Sequence, residues 1–221
     1  MPEAGQPTPA ERDALARAGL VSRETLDALQ IYADRLVQWQ ARINLVGPKT
    51  VPLLWTRHIL DSAQLWPFLA EGSRPILDIG SGAGFPGIVL GIASAAQGGP
   101  EIHCVESDGR KAAFLTDIIS RTGAKARVHH ARVEALTPWS CGAVTARACA
   151  PVAQLLTYGA PFLGVGDSLI LLKGRQADVE LTQARESWTF TVESHDSVTD
   201  PTGRILVLST IAPRSDGSAP D

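Results

Sequence analysis

From Ser22 onward, Leu26, Leu29, Ala33, Leu36, Val37 and Ile43 recur at helical spacing, which predicts an amphipathic helix. Ser22 stands at its N-cap with Thr25 in the first turn, and Gly47-Pro48 breaks the pattern. A further helix is predicted over 51–66, with Pro67 helping to end it. At Pro75 the texture changes. Short β-rich runs now alternate with helical segments, the signature of a parallel sheet with crossover helices and hence of an α/β fold. Strands are predicted at 76–79, 102–106, 126–129, 143–147 and 168–172, with helices at 87–96, 110–121, 152–162 and 177–185. Two last strands, 190–194 and 205–208, follow without a helix between them, which predicts an antiparallel hairpin at one edge. The expected organisation is a disordered tail over 1–8, a helical N-terminal cap over 9–72, a catalytic core over 73–212 and a second disordered tail over 213–221.

Composition narrows the class. Apolar residues make up 44% of the 221 positions, enough for a sizeable core, and no apolar run is long enough to span a bilayer. Residues 1–12 carry neither a basic head nor an apolar signal core, so the expected compartment is the cytoplasm. Cys104, Cys141 and Cys149 form no CxxC pair and read as reduced, small hydrophobes. The five histidines do not join them at zinc spacing, so no metal site is expected. A monomer is expected. The net charge of −3 argues against tight binding of naked nucleic acid by bulk electrostatics. Two acid-free stretches stand apart: one holds Arg35, Arg42, Lys49 and Arg57, the other Arg121, Lys125, Arg127 and Arg132.

The densest chemical signal lies between the first predicted strand and helix: Ile76-Leu77-Asp78-Ile79-Gly80-Ser81-Gly82-Ala83-Gly84-Phe85-Pro86-Gly87. Glycines there permit a tight turn and a close approach of ligand to backbone. Gly82, Gly84 and Gly87 formally match the dinucleotide fingerprint. A pyrophosphate, however, needs N–H donors at the helix start, and Pro86 removes one. The Gly80-x-Gly82-x-Gly84 spacing behind Asp78 suits S-adenosylmethionine better, since that cofactor has no phosphate and a cationic sulfonium and amino group. Glu106 ends the second predicted strand, where an acid can accept both ribose hydroxyls of an adenosine in either cofactor.

Further segments occur in order over residues 20–210: Asn44-Leu45, Arg57-His58-Ile59-Leu60-Asp61-Ser62, the 78–87 loop, Arg132-Val133-Glu134 and Leu172-Lys173-Gly174. Together they resemble the RsmG (GidB) family, which methylates N7 of a guanine in small-subunit (16S) ribosomal RNA. The resemblance implies a Rossmann-like methyltransferase core with a mostly parallel seven-stranded sheet, a helical N-terminal extension and S-adenosylmethionine as cofactor. Its cofactor positions fall on Gly80, Phe85, Glu106, Val133, Glu134 and Arg147, beside Asp78, Gly82 and Gly84 from the loop reading. Two departures stand out. Thr145-Ala146-Arg147-Ala148 replaces the usual Ser-Arg-Ala, and Leu208-Ser209-Thr210 stands where a lysine is expected.

The chemistry asks little of the chain. Guanine N7 carries a lone pair and no proton, so no general base is required. Arg147 suits a carboxylate, a phosphate or O6 better than N7 itself. Arg42, Lys49, Arg57, His58 and Lys173 are the candidate RNA contacts, with Lys173 on a phosphate and His58 on RNA or at an interface. Arg57 and Asp61 are spaced for a helical ion pair. With so little net charge, the expected substrate is the assembled small subunit in preference to free RNA. A non-catalytic ribosome-assembly factor and an NAD-dependent oxidoreductase are the rival readings.

Overall fold

A strand four residues long, β1 (Ile76–Ile79), is buried along its whole length, as a strand must be when helices cover both faces of its sheet. The computed structural model describes residues 5–20, 22–69, 72, 74–147 and 149–214. Around β1 they form a seven-stranded sheet of order β3-β2-β1-β4-β5-β7-β6. The other strands are β2 (Ile102–Glu106), β3 (Ala126–His130), β4 (Cys141–Arg147), β5 (Leu163–Lys173), β6 (Trp188–Asp196) and β7 (Arg204–Pro213). β1 to β5 run parallel. The closing hairpin inserts β7 antiparallel between β5 and β6. This is the expected Rossmann-like α/β architecture.

The helices start and stop for local reasons. α1 (Pro9–Arg17) opens on a capping box in which Thr8 and Glu11 satisfy each other's backbone N–H. α2 (Arg23–Gln40) opens on Ser22, which accepts from Thr25 N at 3.1 Å. α2 ends three residues before Ile43. There the Gln40 amide accepts from Leu45 N and Val46 N and donates to Val46 O, folding the chain back on itself. The single helix expected over 51–66 is instead a 3-10 turn (Pro48–Leu53), a π-helical turn (Trp55–Leu60) and short α and 3-10 turns, the former α3 (Asp61–Ala63). Pro52 lies inside the 3-10 stretch, where its missing N–H excludes a regular α ladder. The remaining helices are α4 (Gly87–Gln97), α5 (Gly109–Thr122), α6 (Val152–Gly159) and α7 (Ala177–Ala184), close to expectation.

The N-terminal helices are not a separate cap. Leu15, Leu29, Tyr32 and Leu36 share one apolar cluster with Ile88, Leu90, Phe114 and Ile118 from α4 and α5. α2 is fastened across this face by Arg35 and Trp39, which both donate to Asp117 of α5. Its Tyr32 hydroxyl donates to Ala83 O in the glycine loop at 2.5 Å. Residues 5–8 also depart from the expected disorder: Trp55 Nε1 donates to Gly5 O at 2.6 Å, and Pro7 is buried. At the other end β7 runs to Pro213 and Arg214 N donates to Ser187 O at 2.9 Å, so 213–214 also depart from the expected disorder; 1–4 and 215–221 lie outside the described residues.

Tyr32→Phe keeps the ring's packing and strands a buried carbonyl. It is expected to destabilise the chain by about 1–3 kcal/mol. Urea unfolding checks this; an unchanged midpoint would mean that the Tyr32–Ala83 bond contributes nothing.

Candidate active site

Parallel pairing brings the ends of β1, β2, β4 and β5 to one edge of the sheet, so Ile79, Glu106, Arg147 and Lys173 converge there. A cavity of about 580 Å³ opens above them. Gly80, Gly82, Phe85, Glu106, Arg147, Arg57, His58 and Lys173 all line it. A second cavity of about 240 Å³ shares Gly80, Glu106 and Cys149 with the first and adds Val133 and Glu134. Ten of the predicted site residues are thus brought together. Arg42 and Lys49 are exposed and line none of these cavities.

Direct contact of Asp78 and Gly84 with a cofactor is corrected, since neither lines a cavity. Asp78 is fully buried beneath the loop. Its carboxylate accepts from Gly87 N at 3.1 Å and from Thr145 Oγ1 at 3.0 Å. Burial raises its carboxyl from 3.8 to about 6, against the hydrogen bonds that lower it. Its contribution to stability is therefore full below pH 3.8 and lost as pH rises through about 6. Gly84 lets the loop close on α4 and α2: a Cβ there would lie 2.5 Å from Ile88 Cγ1 and 2.9 Å from the Tyr32 hydroxyl.

The donors at the start of α4 are already engaged. Gly84 N and Phe85 N donate to Ser81 O, Ile88 N donates to Gly84 O and Gly87 N to Asp78. A pyrophosphate at this helix start would have to displace a carboxylate, which counts against the dinucleotide reading. Gly80 has φ +67°, and a Cβ on it would lie 2.8 Å from Cys149 Cβ. Glu106 accepts from Gly82 N at 2.8 Å with one oxygen and from Asp108 N at 2.7 Å with the other. A carboxylate has about four lone-pair sites, so capacity for a ribose diol remains on a carboxylate already fixed in place.

On the opposite wall the Arg147 guanidinium donates to Arg57 O, to Asp61 Oδ2 at 3.1 Å and to His58 Nδ1 at 2.7 Å. It also lies over the Phe85 ring, 5.0 Å from its centroid. Thr50 Oγ1 has one hydrogen, given to Gly47 O, so it accepts from His58 Nε2. His58 is therefore the Nε2–H tautomer. Burial, reinforced by Arg147 and Arg57, lowers its pKa to about 3. Expected on RNA or at an interface, His58 is buried, neutral and engaged at both nitrogens, by Thr50 and Arg147.

Two more expectations change. The Arg57–Asp61 pair does not form. The wider π turn intervenes, Arg57 pairs with Asp200 at 3.0 Å and Asp61 with Arg147. Lys173 is no solvated strand end; it is buried, and its ammonium donates to Ala150 O and Glu180 Oε2. Sequence reasoning missed Tyr32, Thr145 and the hairpin turn at 197–203, whose Thr199 hydroxyl donates to Asp61 Oδ1 at 2.6 Å. No local signal marks a contact made 138 positions away. Cys149 is exposed as a residue but turns its sulfur inward to Ile79 O, and desolvation of the inward thiol pushes it up to about 11, so it is a poor nucleophile near neutrality. Among the described residues no cluster of His, Cys, Asp or Glu is placed to hold a metal ion.

The His58 assignment predicts no imidazole titration between pH 5 and 8, with the proton on Nε2 throughout. Nitrogen NMR of the rings checks this. A midpoint near 6.5 would show that the Arg147–His58 bond is not made.

Residues 25–205 match the family described as rRNA small subunit methyltransferase G, GidB. The chain is 49% identical over 198 residues to ribosomal RNA small subunit methyltransferase G of Paramagnetospirillum magneticum, covering 90% of this chain and 94% of that one. It is 52% identical over 194 residues to the protein of the same name from Rhodospirillum centenum, covering 88% of each. Among solved structures, TYW2 of M. jannaschii in complex with AdoMet is similar at a TM-score of 0.56 and 11% identity, over 79% of this chain and 80% of that one. TrmN from Thermus thermophilus is similar at a TM-score of 0.54 and 15% identity, over 68% and 48%. These likenesses in structure concern the fold, whereas those in sequence run through the cavity-forming segments from end to end: the chain belongs to the GidB family of rRNA small subunit methyltransferases.

Proposed function

We propose that this protein transfers the methyl group of S-adenosylmethionine to N7 of a guanine in 16S ribosomal RNA, acting on the small ribosomal subunit. One observation supports this chemistry beyond the family. Among the described residues that line it, the cavity offers a fixed carboxylate for a ribose, and its other candidate bases are engaged, Asp200 by Arg57 and Thr202. His58 is neutral with both nitrogens engaged, Asp61 is tied to Arg147, and Cys149 holds its proton. A site so equipped suits an acceptor that arrives without a proton to lose.

The residues present fit the cofactor. Gly80, Gly82 and Phe85 offer a close wall, Glu106 the ribose acceptor, and the Val133–Glu134 turn a side cavity for the base. Bound there, S-adenosylmethionine supplies an electrophilic methyl carbon on a sulfonium. What the chain contributes is orientation, which can supply about 7–11 kcal/mol when donor and acceptor are held in line. Arg147 stays over Phe85 because Asp61 and His58 hold it from the N-terminal side.

Arg42 and Lys49, exposed and without side-chain partners among the described residues, remain the proposed RNA contacts on the outer face, with Arg57 at the cavity mouth. With this substrate the expected compartment is the cytoplasm. Among the described residues no helix is long and apolar enough to cross a membrane.

The test is radiolabelled methyl transfer to small subunits from a strain lacking this protein, followed by nucleoside analysis. The expected product is 7-methylguanosine; subunits that bind the protein yet take no label would overturn the reading in favour of an assembly factor. Glu106→Ala is expected to weaken S-adenosylmethionine by about 10- to 100-fold, the loss of hydrogen bonds to a charged acceptor. Calorimetric titration measures it, and an unchanged affinity would misplace the ribose.

A further inference from the structure

None of the cofactor contacts proposed above uses the buried pair at the end of β5, although Lys173 reaches the rim of the large cavity. Lys173 Nζ donates to Ala150 O at 2.5 Å and to Glu180 Oε2 at 2.8 Å, and only 5% of the lysine side chain is exposed. Glu180 belongs to α7, and the same oxygen accepts from Val152 N at the start of α6. Three elements thus fix one ammonium. A third cavity of about 450 Å³ opens beside it, lined by Pro151, Arg175 and Gln176. It shares Cys149, Leu172, Lys173 and Gly174 with the large cavity. Lys173 therefore stands where a second ligand, entering past Pro151, would meet one lying over Gly80.

Resting on the function proposed above, we propose that the target guanine enters through this third cavity and that Lys173 donates its remaining N–H to guanine O6. An ammonium has three N–H donors, and two are committed. Guanine presents O6 and N7 side by side as acceptors, whereas adenine presents an amino donor in place of O6. A donor fixed on O6 accepts guanine, rejects adenine and leaves the N7 lone pair free. That lone pair forms the new bond to the methyl carbon as the carbon–sulfur pair returns to sulfur, and no proton changes hands. The purine gains a positive charge, which an unpaired lysine would oppose. Glu180 supplies the counter-charge, so the Lys173–Glu180 pair reads O6 without repelling the product. Lys173 is then the specificity-determining residue and Glu180 the residue that positions it.

The experiment uses reconstituted small subunits carrying guanine, or 2-aminopurine in its place, at the methylated position. 2-Aminopurine keeps N7 and lacks O6. Wild-type protein is expected to methylate guanine about 10- to 100-fold faster, the worth of a hydrogen bond to a charged donor. In Lys173→Met/Glu180→Gln, which removes both charges and keeps an acceptor for Val152 N, the guanine rate should fall to that of 2-aminopurine. S-adenosylmethionine affinity in this variant should stay within threefold. Lys173→Arg, which keeps a charged donor, should retain a preference for guanine. Equal wild-type rates on the two bases would overturn the proposal without any variant, as would a guanine preference that survives in the double variant. No transfer to guanine by the wild type would instead overturn the function reading itself, and this proposal with it.

Discussion

The buried carboxylate of Asp78 is the constraint on which the site is built. It sits at zero exposure inside β1 and joins three parts of the chain: its own strand, the Gly87 N–H at the start of α4, and the Thr145 hydroxyl on β4. A carboxylate taken out of water this completely persists only where donors meet it. Burial still holds its carboxyl up at about 6. The N–H donors where the loop enters α4 are taken by Ser81 O, Gly84 O and Asp78 itself, which leaves a glycine-lined wall suited to a cation without phosphates. One acidic side chain therefore explains both the shape of the loop and the kind of ligand it excludes.

The second wall comes from the N-terminal region. Gly47 O, Thr50, His58 and Arg147 form a continuous hydrogen-bonded chain, and Asp61 extends it to Thr199 in the β6–β7 turn. Arg147 therefore receives its orientation from segments far away in sequence. Tyr32 reaches the glycine loop from the same N-terminal side. A region that supplies one wall of the cavity and supports another is part of the catalytic body, with the apolar cluster continuous through both.

The sheet was legible because its strands are short apolar runs between strong turn signals, and β1 and β2 match the expected limits of 76–79 and 102–106. The hairpin could be read from its missing crossover helix, but not that β7 lies inside β6. The cavity residues Gly80, Phe85, Glu106 and Arg147 were legible through motif spacing and family resemblance. Their partners were not. His58 and Lys173 carry basic side chains whose sequence neighbours are silent about burial; their states depend on Thr50, Arg147 and Glu180, brought to them by the fold. Asp78 was identified as important for the wrong reason, because a strand-end acid before a glycine loop reads the same whether it faces the ligand or the core. The 51–66 segment was misread because apolar periodicity does not distinguish α from 3-10 and π turns, though Pro52 was a signal.

Asp78 shapes the cavity from beneath without lining it. Calorimetric titration of Asp78→Asn with S-adenosylmethionine at pH 7.5, on protein shown by circular dichroism to be folded, tests this role most directly. An asparagine can still accept from Gly87 N, but it then turns its amide donor toward the Thr145 hydroxyl, whose own hydrogen loses its acceptor. Because the loop must shift to relieve that mismatch, the affinity is expected to fall about tenfold or more, with an accompanying loss of stability of about 1–3 kcal/mol. Binding within twofold of wild type would contradict that role of Asp78.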